Sequence, residues 1–192
     1  VGRGTFVRDL EPDGVSSIEV SLADNVENLL AFENSRPRFG AGEDVVPLHS
    51  LIPDPALYPV DAFRRCLNRV LAQGGGKLLG YGAPQGYAGL REVIAERFAA
   101  IGCRLGPEGI VLCHGASQGI SLALRLFAQP GDAVAVELPT YQNLLSTLVA
   151  LGLKATPVQL GPDGPDLEQL ERVLSRPDVK AFYTIPTFHN PL

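Results

Sequence analysis

Apolar and polar residues follow one another along the second half of the chain in a pattern of short strands and amphipathic helices. Short apolar runs predict four strands, at 110–113, 133–136, 155–160 and 180–185. Helical periodicity predicts three helices between them, at 119–128, 141–151 and 167–174. Because the elements alternate with short connections, the pattern favours an α/β fold, with a partial parallel sheet, right-handed crossovers and helices on both faces.

The first half of the chain predicts further helices and one loop. Residues 59–73 begin with a proline, place their apolar positions on one helical face and are followed by three glycines that predict the end of the helix. Residues 87–101 form a second amphipathic helix, and 22–32 a short one. Residues 78–86 predict a Gly/Pro loop that carries Tyr81.

Composition narrows the class of protein. The 192 residues are 45% apolar and 19% charged, which is typical of a soluble globular chain. The net charge of −5 disfavours a surface that coats nucleic acid. The three cysteines show no C-x-x-C spacing, which disfavours a disulfide framework or a zinc site. We therefore expect the protein to be located in the reducing cytoplasm. No apolar run approaches the ~20 residues of a membrane span.

The chain begins at Val1 and contains no Met, so we expect it to be an internal piece of a longer protein.

Candidate chemistry lies where predicted strands end. The turn 115–119 joins a strand to a helix, and small residues there let backbone N–H groups approach an anion at the helix N-terminus. The same turn is equally typical of a capped helix without a ligand. Tyr141 and Asn190 follow two later strands, at the edge where ligands bind; a ring there could stack on a flat cofactor, and Asn190 places a polar side chain at the same edge. Core packing and an Asn-Pro turn are the alternatives.

Four motifs in fixed order carry a family resemblance: PDPALYPVDAFRR (53–65), YGAPQGYAGLRE (81–92), CHGASQGISLALRLFAQPGDAVAVELPTY (113–141) and AFYTIPTFHNPL (181–192). Together they resemble the N-terminal half of the class I/II aminotransferases, which have fold type I and bind pyridoxal 5'-phosphate (PLP). The resemblance implies that residues 45–192 are the first, truncated part of such a domain. It also implies PLP as cofactor and an amino compound or 2-oxo acid as substrate or effector.

The resemblance implies a role for each matching residue. Gly115, Ala116 and Ser117 would hold the cofactor phosphate, and Tyr81 would reach the phosphate of a neighbouring subunit, which implies a homodimer. Tyr141 would stack on the pyridine ring.

Asn190 would donate a hydrogen bond to the phenolic oxygen of the cofactor. The lysine that forms the Schiff base is expected downstream of this sequence, because Lys77, Lys154 and Lys180 do not lie in its usual context. No catalytic residue is therefore assigned, and we expect the fragment not to transaminate by itself. Leu51 stands where relatives usually carry a glycine, which puts the usual carboxylate pocket in doubt.

The opening residues resemble a different module. GRGTFV (2–7) is similar to the wing of a GntR-type winged helix, which precedes an aminotransferase-like domain in MocR-type transcriptional regulators. We therefore expect a wing remnant at 1–7, a linker at 8–44, and DNA binding only through an upstream domain absent from this sequence. The alternatives are a plain PLP-dependent amino acid:2-oxoacid aminotransferase and a degenerate scaffold that has lost the cofactor.

Overall fold

The computed structural model describes residues 22–36 and 53–192, in two compact units. We call residues 22–36 with 127–192 the sheet unit, and residues 53–126 the helical unit. The expected wing, the expected linker apart from 22–36, and Leu51 lie outside the described residues.

Six helices and four strands are assigned within this part of the chain. In chain order they are α1 (Asp24–Ser35), α2 (Val60–Leu78), α3 (Ala88–Ala100), α4 (Ala116–Phe127), β1 (Ala133–Leu138), α5 (Gln142–Ala150), β2 (Lys154–Gly161), β3 (Gly164–Pro165), α6 (Leu167–Leu174) and β4 (Val179–Tyr183). Short 3-10 turns lie at Pro55–Leu57 and Pro107–Gly109. None of the described helices is long and apolar enough to cross a membrane.

The sheet unit has the predicted α/β architecture. Its strand order is β3-β2-β1-β4, with β1 parallel to both β2 and β4 and the two-residue β3 antiparallel to β2. The connection from β1 to β2 and the one from β2 to β4 run in opposite directions across the sheet. With the right-handed crossovers that parallel strands favour, this reversal is expected to place α5 and α6 on opposite faces of the sheet.

The core of the sheet unit surrounds β1, which is buried from Ala133 to Glu137. On one face Val173 of α6 packs with Ala135 and Val158 of the sheet. Leu144 and Leu148 of α5 are fully buried. A central strand covered on both sides explains the nearly continuous apolar sequence of β1.

Helix α1 confirms the helix predicted within 22–32 and packs on α5 of the same unit. The Asn25 side chain donates to the Ala150 carbonyl (3.0 Å), and the Ser146 hydroxyl donates to Glu33 (2.6 Å). Hydrogen bonds from Ser146 and Arg36 lower the pKa of Glu33. This part of the segment expected to be a linker is therefore an ordered helix on the sheet unit.

Residues 110–113 do not form the strand that the sequence predicts, so this prediction is wrong. A strand requires a ladder partner, and the Leu112 N–H instead donates to the carbonyl of Gln85 in a loop (3.0 Å). A Cβ added at Gly86 (φ 91°) would meet the Leu112 side chain at 2.7 Å, so a glycine permits this close approach. The predicted end of α2 is also wrong: Gly74 leaves helical dihedrals (φ 155°, ψ 25°), but the helix resumes to Leu78.

Candidate functional site

The turn before α4 exposes the N-terminus of a twelve-residue helix. Gly115 takes a positive φ (84°), which favours glycine, and α4 begins at Ala116, three residues earlier than predicted. The Gln118 side chain accepts a hydrogen bond from the His114 N–H (2.6 Å). That bond fixes the entry of the chain into the helix, so Ser117 lies in its first turn.

The donors of this turn have no acceptor within the described chain. The N–H groups of Ala116, Ser117 and Gln118 and the Ser117 hydroxyl make no hydrogen bond there, and all three residues are exposed. The helix dipole adds positive potential at the same end. Three N–H donors and one hydroxyl at a helix N-terminus are the donor chemistry that a phosphate requires.

Tyr141 and Asn190 lie at one edge of the sheet. Tyr141 precedes α5 three residues after β1 ends, and Asn190 follows the end of β4. Because β1 and β4 are parallel neighbours, both residues lie at the carboxyl edge, where ligands bind in open α/β sheets.

Tyr141 is half-buried, and its hydroxyl accepts a hydrogen bond from the Asn143 side chain (2.8 Å). Burial raises the pKa of the neighbouring Tyr183, and the proximity of Tyr141 and Glu137 raises it further. The Tyr183 phenol is therefore neutral at neutral pH. This environment offers a ring for stacking, with its hydroxyl already bound within the chain.

Three side-chain polar groups at this edge make no hydrogen bond within the chain as described, among them His189 Nε2. The Asn190 side-chain amide makes no hydrogen bond, and the buried Thr140 hydroxyl makes none either. An amide that can donate two hydrogen bonds is left available beside the sheet edge.

Sequence reasoning missed Glu137 as a functional candidate. It is 2% exposed, accepts hydrogen bonds from Thr184 and Ile185, and approaches His189. The signal was present in the sequence, because AVAVEL places one acidic residue in an apolar strand. A buried carboxyl requires polar partners, and those partners come from a distant segment that the sequence does not identify.

Tyr81 belongs to the helical unit, whereas Lys154 and Lys180 belong to the sheet unit. Tyr81 is fully exposed in its loop. Lys154 is the first residue of β2, and Lys180 lies near the start of β4 with its Nζ donating to the Pro177 carbonyl (2.8 Å). Both lysines therefore lie at the amino edge of the sheet, opposite Tyr141 and Asn190.

The turn at 115–117 belongs to the helical unit, whereas Tyr141 and Asn190 belong to the sheet unit. Arg91 of the helical unit is structural: its guanidinium donates to the Pro107 carbonyl (2.7 Å). The three cysteines are unpaired and exposed, and no group of three or more potential metal ligands occurs among the residues placed here.

Comparison with known proteins identifies relatives of two kinds. The HTH-type transcriptional regulator YdcR of Escherichia coli is 37% identical over 149 residues, 77% of this chain and 32% of YdcR. The 2-aminoadipate transaminase of Thermus thermophilus is 34% identical over 140 residues, 73% of this chain and 34% of the enzyme. The chain thus spans about a third of the length of each relative.

A solved structure shares the fold. The alpha-aminoadipate aminotransferase of Thermus thermophilus, complexed with N-(5'-phosphopyridoxyl)-L-leucine, matches with a TM-score of 0.64 at 34% identity. The match covers 73% of this chain and 35% of that one. In addition, the family model for aminotransferase class I and II matches residues 52–192. The chain therefore belongs to the class I and II aminotransferase family.

Proposed function

We propose that this chain supplies the phosphate-binding turn and the ring-stacking edge of a PLP-binding protein. The observation that carries the proposal is the exposed N-terminus of α4, where three N–H groups and the Ser117 hydroxyl have no acceptor among the described residues. The family implies PLP as the cofactor. When bound, PLP supplies the electron sink for chemistry at the amino-bearing carbon of a substrate.

In this proposal, the turn before α4 binds the phosphate of the cofactor and orients it. Gly115 lets the backbone turn so that the N–H groups of Ala116 and Ser117 point along the helix axis toward the anion. The Ser117 hydroxyl adds a fourth donor. These donors are fixed before binding, so little conformational entropy is lost when the phosphate arrives.

At the sheet edge, the chain's role is to hold the ring. Tyr141 would stack on the pyridine of the bound cofactor, and the Asn190 amide, which has no partner among the described residues, would donate to the phenolic oxygen. We assign the covalent anchor to a lysine outside this sequence, since Lys154 and Lys180 lie at the opposite edge of the sheet.

For the whole protein we propose a MocR/GntR-type transcriptional regulator, because YdcR is a regulator and GRGTFV resembles a winged-helix wing. In that protein, residues 1–7 end the wing, 8–44 connect the domains and 45–192 begin the PLP domain. Its ligand is an amino compound or a 2-oxo acid, and DNA is bound by the upstream domain. We propose a cytoplasmic homodimer in which Tyr81 reaches the partner's phosphate.

A plain aminotransferase is the second candidate, favoured by the 2-aminoadipate transaminase relative. Reading the full-length sequence upstream of Val1 separates the two candidates. A basic helix-turn-helix of about 60–70 residues favours the regulator, and a start of translation within a few residues of Val1 favours the enzyme.

Removing the Tyr141 ring tests the proposed function. In the full-length protein we expect Tyr141→Ala to weaken PLP binding about tenfold, because ring stacking contributes on the order of 1 kcal/mol. The matched control, Tyr141→Phe, keeps the ring and loses only the hydroxyl that Asn143 already occupies. We expect it to bind PLP within about threefold of the wild type. Equal PLP affinities for the alanine variant and the wild type, measured by fluorescence titration, would contradict the stacking role.

A further inference from the structure

We propose that Glu137 is a positioning residue, which clamps the segment after β4 to the end of β1 and thereby presents the Asn190 amide to the cofactor. The inference rests on the proposed function and deepens it, since it assigns a role to a buried residue that touches neither the phosphate turn nor the ring. It concerns residues of the sheet unit only.

The first support is the hydrogen bonding of the carboxyl group. Glu137 is the penultimate residue of β1 and is 2% exposed. Its Oε1 accepts from the Thr184 hydroxyl (2.6 Å), and its Oε2 accepts from the Ile185 N–H (2.9 Å). Burying a carboxyl is costly unless its oxygens are satisfied, and both are satisfied by one segment. The residue therefore holds consecutive positions of the chain directly after β4.

The second support is His189, the residue before Asn190. Its Nε2 lies 3.2 Å from Glu137 Oε2, in a close polar contact whose angle falls outside hydrogen-bond geometry. Its Nδ1 accepts from the Leu192 N–H (3.4 Å). The imidazole side chain is mostly buried. His189 thus contacts the same carboxyl and also accepts a hydrogen bond from the chain that follows Asn190.

The third support is that the described part of this segment makes no ladder hydrogen bonds to the sheet. Ladder pairing of β4 ends at Tyr183, and none of the described residues from Thr184 onward lies in a strand. Loops without ladder bonds are ordinarily mobile, so the Glu137 bonds carry the positioning.

A double-mutant cycle in the full-length protein tests the inference, with PLP affinity measured by equilibrium dialysis. Glu137→Leu fills the space but leaves Thr184 and Ile185 without an acceptor, whereas Glu137→Gln keeps an acceptor of nearly the same size. We expect the leucine variant to bind PLP at least tenfold more weakly and the glutamine variant within about threefold of the wild type. Asn190→Ala should also lose about tenfold.

The diagnostic result is non-additivity. If Glu137 acts through Asn190, the second substitution adds little to the first. We then expect the double variant, Glu137→Leu with Asn190→Ala, to bind PLP no more than about twofold more weakly than the weaker-binding single variant. Fully additive losses would overturn the inference and leave the proposed function standing. Unchanged affinity in Asn190→Ala, or no PLP binding by the wild type, would instead contradict the proposed function and the inference with it.

A more conservative substitution tests the same inference if the Glu137→Leu variant does not fold. Thr184→Val removes one hydroxyl donor at nearly constant volume and leaves Glu137 in place. We expect about a threefold loss of PLP affinity that is also non-additive with Asn190→Ala. Additivity in this second cycle would overturn the inference in the same way.

Discussion

Replacing Ser117 by glutamate is expected to weaken PLP binding at least about 100-fold while leaving the melting temperature unchanged or raised. A carboxylate in the first turn of α4 meets the positive end of the helix dipole, which stabilises the helix by about 0.3–1 kcal/mol. The same carboxylate repels a phosphate and occupies the N–H groups that would bind it. Affinity and stability therefore change in opposite directions, which a general loss of folding cannot imitate. Fluorescence titration with PLP and thermal denaturation measure the two quantities.

Ser117→Ala is the matched control for this experiment. It removes one hydroxyl donor and adds no charge, so we expect a loss of about five- to tenfold in PLP affinity. Wild-type affinity in the glutamate variant would exclude the turn at 115–117 as the phosphate site.

Replacing Leu144 by alanine is expected to lower the free energy of unfolding by about 3 kcal/mol. Leu144 is 0% exposed in α5, and truncating a fully buried leucine costs the transfer free energy of its methyl groups plus the cavity that remains. Leu167→Ala in α6 is the control within the same unit, because Leu167 is 72% exposed. We expect it to change stability by less than about 0.5 kcal/mol. Chemical denaturation of the full-length variants gives both values, and similar losses at the two positions would contradict the described packing of α5.

The elements predicted well from sequence are those whose period and boundaries are local. Helix α6 occupies 167–174 as predicted, because a turn with Asp166 as its N-cap begins it and its apolar positions repeat with the helical period. Helix α2 was bounded wrongly because three glycines indicate an end, whereas the structure has a kink at Gly74. The strand at 110–113 failed because pairing depends on a partner that the local sequence does not contain.

Part of the candidate site could also be predicted from the sequence. A helix start close to Ser117 follows from small residues between an apolar run and an amphipathic segment, although the helix begins at Ala116 and not at the predicted residue 119. Tyr141 and Asn190 at one edge follow from the parallel direction of β1 and β4. Glu137 was not predictable as a positioning residue, because its partners Thr184 and Ile185 lie 47 and 48 residues away. The packing of α1 on α5 depends in the same way on contacts distant in sequence.

A crystal structure of the full-length protein grown with PLP would show whether this chain holds the cofactor. We expect the phosphate to accept hydrogen bonds from the N–H groups at the start of α4 and from the Ser117 hydroxyl. We also expect the pyridine ring to stack on Tyr141 and the Asn190 amide to donate to the phenolic oxygen. A cofactor bound elsewhere, or a phosphate held by residues other than 115–117, would contradict the proposed function.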